Sequence, residues 1–200
     1  MRRIVVFDNV TADGYFADSK GSLDWVIPSD EVFRTVAESN QDIDTMLFGR
    51  RTYEMFEQFW PHALDDPETA PDPHSAGRRS TVNREMAVWI NETNKIVFSR
   101  TRKDVTWQHS QLIRELEPQN IEAMKGGPGS DMIVFGSGSI VGQLTEHGLI
   151  DEYMLVVNPI LLGGGRSLIS GMARGTKLNL QDATSYSSGH VMLRYTRQPS

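Results

Sequence analysis

A three-layer α/β architecture, with a mostly parallel central sheet and an antiparallel carboxyl-terminal strand, follows from three features of the chain. Short, nearly continuous apolar runs recur at Ile4–Phe7, Thr45–Phe48, Lys95–Phe98, Asp131–Phe135 and Tyr153–Val157. Such runs suit strands buried on both faces, as in a parallel sheet covered by helices. Segments of helical periodicity separate them over most of the length. The last third loses this alternation, and two strands succeed each other with no helix between.

The elements read in order as follows. Ile4–Phe7 is the first strand, and Asp8 and Asn9 interrupt its apolar run after four residues. That run is too short for the hydrophobic core of a signal peptide, despite Arg2 and Arg3 before it. Ser29 is an N-cap for a helix over Ser29–Glu38. The strand Thr45–Phe48 leads into a helix over Arg51–Phe59. Tyr53, Phe56, Phe59 and Trp60 recur there at helical spacing and are assigned to the core. Residues 61–80 hold four of the nine prolines and several acids, and are expected to form a surface excursion. Helices are expected at Val82–Asn91, Pro118–Lys125 and Ser139–His147. Pro118 suits a first helical position, and Gly148 suits a left-handed residue just past a helix end. Asn158-Pro159 and Gly163-Gly164-Gly165 break the pattern, the glycines marking a turn or bulge out of a strand. Lys177–Leu180 and His190–Thr196 then pair antiparallel at a sheet edge. No internal repeat appears, and 200 residues fit a single domain over 1–200.

Composition narrows the function. There is no cysteine, which excludes disulfides, thiolate nucleophiles and cysteine-ligated zinc. The five histidines show no metal-ligand spacing, so no metal is expected. A formal net charge of −6 argues against a nucleic-acid-binding surface. No window is long and apolar enough to span a membrane. A cytoplasmic location is expected. No G-x-S-x-G elbow points to a hydrolase.

Three turns at the ends of predicted strands carry anion-binding chemistry. In the first, Gly49-Arg50-Arg51-Thr52, free helix-start N–H groups meet two guanidinium groups and a hydroxyl. Arginine there opposes the helix dipole, a penalty that a bound anion would offset. In the second, Ser99-Arg100-Thr101, two hydroxyls and a guanidinium stand at a strand's carboxyl end, where ligands of open α/β sheets bind. In the third, Gly136-Ser137-Gly138-Ser139-Ile140, glycines let the backbone pass close to a pyrophosphate. It lacks the G-x-G-x-x-G spacing of the ordinary dinucleotide fingerprint. Each turn by itself is also ordinary loop material. Together they suit one long, multiply charged ligand such as a dinucleotide, with Ser99–Thr101 placed for a 2′-phosphate. Asp13, Trp25 and Asp30 combine carboxylates with an aromatic face and suit a flat heterocycle, and a carboxylate buried beside Trp25 would be a proton source. Asp13-Gly14 is equally a good turn pair, and Asp30 equally a helix-start acid. Gly163–Ser167 resembles a further anion loop, but three consecutive glycines favour a structural turn.

Taken in order, Thr11–Tyr15, Leu47–Thr52, Ile96–Thr101, Val134–Ser139 and Ile150–Tyr153 with Asn158-Pro159 and Gly163–Gly165 resemble the dihydrofolate reductase-like superfamily. The resemblance covers about residues 3–197 and is nearest to the reductase domain of the riboflavin-biosynthesis deaminase/reductase. It implies the dihydrofolate reductase-like fold, a homodimer, and NADPH held by the three turns. It also implies reduction of a C=N or C=O bond in a pyrimidine- or pterin-like compound, as in 5-amino-6-(5-phosphoribosylamino)uracil reductase. Asp13 and Asp30 would then serve catalysis, with Asp13, Trp25 and Asp30 at the substrate. True dihydrofolate reduction and non-catalytic NADPH binding are the alternatives. The zinc deaminase half has no counterpart in these residues. The first helix ends Glu38-Ser39-Asn40, where an arginine for a substrate phosphate is expected.

Overall fold

The computed structural model describes residues 1–40, 42–63, 81–170 and 175–198, with backbone alone for 81–83. The chain runs β1 (Ile4–Thr11), β2 (Tyr15–Ala17), α1 (Asp30–Ser39), β3 (Ile43–Gly49) and α2 (Arg50–Phe59). A short 3-10 turn (Trp60–His62), α3 (Thr81–Glu92), β4 (Asn94–Phe98), β5 (Ser110–Ile113) and α4 (Pro118–Gly126) come next. The last elements are β6 (Asp131–Phe135), α5 (Gly138–Glu146), β7 (Glu152–Asn158), β8 (Arg166–Ser167), β9 (Leu178–Ser185) and β10 (Val191–Arg197). Most of the excursion expected over 61–80 lies outside the described residues.

Eight strands form one sheet in the order β5-β4-β3-β6-β1-β7-β10-β9, and β2 and β8 form a separate antiparallel pair. The first six strands of that order are mutually parallel. β10 runs antiparallel between β7 and β9, as the sequence predicts. Alternate residues of the parallel strands feed two cores. Val5, Met46, Phe48, Ile133 and Phe135 pack with α1, α2 and α3. Ile4, Val6, Leu47, Met132 and Val134 pack with α4 and α5. Both faces are therefore covered, which is why these strands read as unbroken apolar runs. Each fully buried Leu, Ile, Val or Phe among them contributes about 1.5–3 kcal/mol.

Local signals set the helix ends. Ser29 Oγ accepts the Val32 N–H at 3.4 Å and starts α1. Pro118 opens α4. Gly148, at φ +66°, donates to Thr145 O while Leu149 N–H reaches Leu144 O at 2.9 Å, closing α5 as expected. Three differences from the sequence reading stand out. β5 is an edge strand of four residues, three half-exposed and Gln111 exposed, with too little apolar pattern to register. β2 and β8 are shorter still. β1 continues four residues past Phe7, because β7 pairs with it as far as Thr11 opposite Asn158.

Candidate functional site

The parallel strands β3, β4 and β6 all end at one rim, and that rim opens on a cleft of about 1110 Å³. Every residue of the three turns in which anion-binding chemistry is expected lines it: Gly49–Thr52, Ser99–Thr101 and Gly136–Ile140. Topology accounts for the convergence, because β4, β3 and β6 are consecutive neighbours running the same way.

Gly49 ends β3 and precedes α2, and no side chain caps that helix. A Cβ on Gly49 would stand 2.8 Å from Ser137 Oγ, so glycine is required by close approach. Beyond β6 the chain turns through two left-handed residues, Gly136 at φ +52° and Ser137 at φ +61°. Left-handed backbone is unusual for serine, and its hydroxyl explains how it is held. Ser137 Oγ accepts the Gly49 N–H at 2.9 Å and shares a hydrogen bond with Thr52 Oγ1 at 2.7 Å. The first and third turns are thus joined through one side chain. α5 also begins without a side-chain cap, so two helix starts present N–H groups at the same rim.

The second turn is built differently. Ser99 is buried and its Oγ accepts the Arg102 N–H at 3.0 Å. Arg100 is exposed and meets Glu115 at 3.3 Å. Arg50 pairs with Glu54 at 3.2 Å, while Arg51 has no ion pair among the described residues. These are weak, solvated partners that an anion can replace. Uncapped helix starts, a left-handed backbone corner and arginines at one rim fit a long polyanion.

Asp13, Trp25 and Asp30 are not among the lining residues. The Asp13 carboxylate accepts the Thr11 hydroxyl at 2.6 Å and the N–H groups of Gly163 at 2.7 Å and Leu162 at 3.2 Å. These bonds, the Thr11 hydroxyl foremost, hold it below its usual range and clasp the turn after β1 to the loop after β7. Trp25 is buried in the loop before α1. Asp30 is exposed in the first turn of α1, where a negative charge complements the helix dipole.

The buried acid at the cleft is Asp8. It lies on β1, is 6% exposed, lines the cleft, and its Oδ2 has no hydrogen-bond partner. Burial pushes its carboxyl well above the ordinary range, and a bond from the Gly136 backbone only partly opposes this. The sequence marks Asp8 only as the residue that interrupts an apolar run.

Gly163–Ser167 is the second departure. A structural turn is expected there, and Gly163 is indeed left-handed at φ +69°. Yet Gly165, Arg166 and Ser167 also line the cleft. A Cβ on Gly165 would collide with Ala17 O, so the missing side chain lets β8 lie against β2. Phe56 and Trp60, assigned to the core, are core residues that reach the cleft as well.

His190 is 1% exposed and lines the cleft. Its Nε2 lies 3.0 Å from Ile27 O and 3.1 Å from Asn158 Oδ1, and its Nδ1 lies 2.9 Å from Ser188 Oγ. An Nε2–H tautomer satisfies all three contacts. Asn158 Oδ1 also accepts the Ile27 N–H at 3.0 Å, so Asn158 and His190 together fix the loop before α1. Asp151 and Glu152 occupy the opposite rim. Asp151 takes Lys125 Nζ at 2.6 Å, and Glu152 takes Arg194 at 2.6 Å.

Comparison with known proteins agrees with this architecture. The uncharacterized protein YyaP of Bacillus subtilis (strain 168) is 28% identical over 194 residues, 97% of this chain and 94% of that protein. A Shewanella sp. PV-4 crystal structure, of a protein provisionally assigned to riboflavin biosynthesis, has TM-score 0.70 at 21% identity. That match covers 98% of this chain and 99% of the other. The diaminohydroxyphosphoribosylaminopyrimidine deaminase/5-amino-6-(5-phosphoribosylamino)uracil reductase of Thermotoga maritima has TM-score 0.63 at 14% identity, over 98% of this chain and 57% of that one. At such identities the solved structures share the fold, the dihydrofolate reductase-like one expected from sequence. The RibD C-terminal domain profile matches residues 2–193, and the chain therefore belongs to the RibD C-terminal domain family.

Proposed function

We propose that this protein is an NADPH-dependent reductase acting on a C=N or C=O bond of a small heterocyclic compound. One observation carries the reading: three separate turns rich in glycine, hydroxyls and arginine line a single cleft, two of them joined by Ser137. The α2 and α5 helix starts would hold the pyrophosphate, with Arg51 and Arg166 adding charge. Ser99, Arg100 and Thr101 would hold the 2′-phosphate that separates NADPH from NADH. When bound, the dinucleotide supplies the hydride.

The chain's own contribution is positioning, exclusion of water and a proton. Phe7, Phe16 and Phe135 line the cleft and keep it apolar between the charged turns. Burial disfavours the Asp8 carboxylate and so favours the form that carries a proton. That proton is available to the nitrogen or oxygen left negative by reduction.

Nucleotide-fluorescence titration tests the cofactor assignment. NADPH is expected to bind more tightly than NADH, and Arg100→Ala to weaken NADPH roughly 10- to 100-fold, the worth of a charged hydrogen bond. Equal affinity for the two dinucleotides would remove the 2′-phosphate site. NADPH oxidation is then followed with pyrimidine and pterin panels, dihydrofolate included. Turnover of dihydrofolate alone identifies a folate reductase, and binding without turnover identifies a nucleotide-binding protein.

A further inference from the structure

The first and third turns each open a helix and are joined through Ser137, whereas the second opens none. Ser99–Thr101 leads from β4 to its parallel neighbour β5, and residues 99–109 hold no helix. No proline stiffens that segment. An irregular connection of this kind keeps one shape only where side chains hold it.

Arg102 supplies that hold. It follows the turn directly, yet it is not among the residues that line the cleft. Its backbone N–H donates to Ser99 Oγ at 3.0 Å, and its Nε donates to Asp104 O at 2.7 Å. Its Nη2 meets Glu57 of α2 at 2.6 Å, and its guanidinium lies 4.8 Å from the centre of the Tyr53 ring, also on α2. Thr106 donates its hydroxyl to the other Glu57 oxygen at 3.0 Å, so the segment closes onto one carboxylate from two points. Burial pushes the Glu57 carboxyl up, but Thr106 and Arg102 together hold it below its ordinary range. The Arg102 and Glu57 side chains are 16% and 19% exposed, so water screens them less than the solvated pairs of Arg50 and Arg100.

This clamp fixes the second turn against α2, and α2 itself opens with the first turn. Glu54 adds to the link, standing 3.2 Å from Arg50 and 3.6 Å from Arg102. The spacing of the two turns is thus set by a residue outside the cleft lining.

We propose that Arg102 is a positioning residue, clamped to Glu57 over Tyr53, that sets the Ser99–Thr101 turn for the 2′-phosphate and so determines the preference for NADPH over NADH. This role rests on the cofactor assigned above. NADH lacks that phosphate and is held by the first and third turns, which Ser137 joins without Arg102.

Two variants separate positioning from plain electrostatics. Glu57→Gln removes a negative charge, which by field alone tightens an anionic ligand, whereas a loosened clamp weakens it. Arg102→Lys keeps the positive charge but loses the planar fork that serves Glu57, Asp104 O and the Tyr53 ring together. NADPH and NADH are titrated by nicotinamide fluorescence into the parent, both variants and the double variant. Each single variant is expected to weaken NADPH about fivefold or more and to leave NADH within about twofold. The double variant is expected to bind NADPH no worse than the weaker of the two, because one contact is broken in both. Thr106→Val, which removes only the second bond to Glu57, is the milder substitute should either fail to fold, and acts in the same direction. Unchanged or tighter NADPH binding in Glu57→Gln overturns the proposal, as does parallel weakening of both dinucleotides, the mark of general damage. A parent that binds the two equally sinks the 2′-phosphate assignment and the clamp's role with it. A parent that prefers NADPH, with variants that keep the preference, sinks the clamp alone.

Discussion

Asp8 places an ionisable group where desolvation dominates and no cation compensates. In the unfolded chain an aspartate ionises near pH 4, whereas in the folded protein this one stays protonated to higher pH. Between those values the native state binds the extra proton, so rising pH removes stability, by about 1.4 kcal/mol per pH unit from this group. Asp8→Asn abolishes the dependence. Urea denaturation across a pH series is expected to show the variant gaining on the parent as pH rises, and parallel curves would refute a protonated Asp8. In catalysis the same substitution is expected to lower turnover about 100-fold or more while NADPH affinity is retained. Asp8 was not legible as a residue of the cleft. Its meaning depends on the pairing of β1 with β7, which carries the strand past an apparent stop. The three turns that line the cleft could be singled out in the sequence because glycine, hydroxyl and guanidinium chemistry is local to each. The place of Asp13 outside the cleft lining was not legible, since its partners at Leu162 and Gly163 lie 149 and 150 residues away.

At the scale of elements, two junctions decide whether the cleft keeps its shape. The first is β3 against α5. Gly49→Ala would drive a methyl into Ser137 Oγ, Ser137 Cβ and Ile140, all within 3.2 Å. The substitution is expected to destabilise the fold by about 1–3 kcal/mol, as overpacking does, and to weaken dinucleotide binding. Thermal melts and titrations check both, and an unperturbed variant would mean that α5 yields easily. The second junction is α3 with β4 and β5. Asn91 is 4% exposed; it donates to Trp60 O and Ala87 O, and it accepts Trp107 Nε1 at 2.8 Å. Lys95 Nζ, buried and lowered to about 8, donates to Asn91 O at 2.9 Å and to Thr93 O at 2.7 Å. Asn91→Ala leaves buried groups unpaired and is expected to destabilise the fold by about 1–3 kcal/mol in denaturant unfolding. Strands buried on both faces announced themselves in the sequence. β5, β2 and β8 did not, because short, half-exposed pairs carry too little apolar pattern.

Across the whole molecule, the parallel sheet separates labour between its rims. The carboxyl ends of its strands carry the cleft, while the other rim carries Arg3, Lys125, Asp131, Asp151 and Glu152 in ion pairs. No described helix is long and apolar enough to cross a membrane. A dinucleotide that joins turns from β3, β4 and β6 should stabilise the fold as one unit. At a hundredfold excess over Kd, binding adds about 2.7 kcal/mol, or roughly 5–10 °C in Tm for a chain of this size. A melting temperature indifferent to NADPH would contradict the shared site. The same geometry has a practical corollary. β1 begins and β10 finishes on the ion-paired rim, with Thr196 opposite Glu152. An affinity handle or surface tether fused before Met1, which is 94% exposed, would leave from the back of the sheet. Immobilised molecules would then present their binding mouth to the bulk solution, ready for flow-based measurement of nucleotide capture.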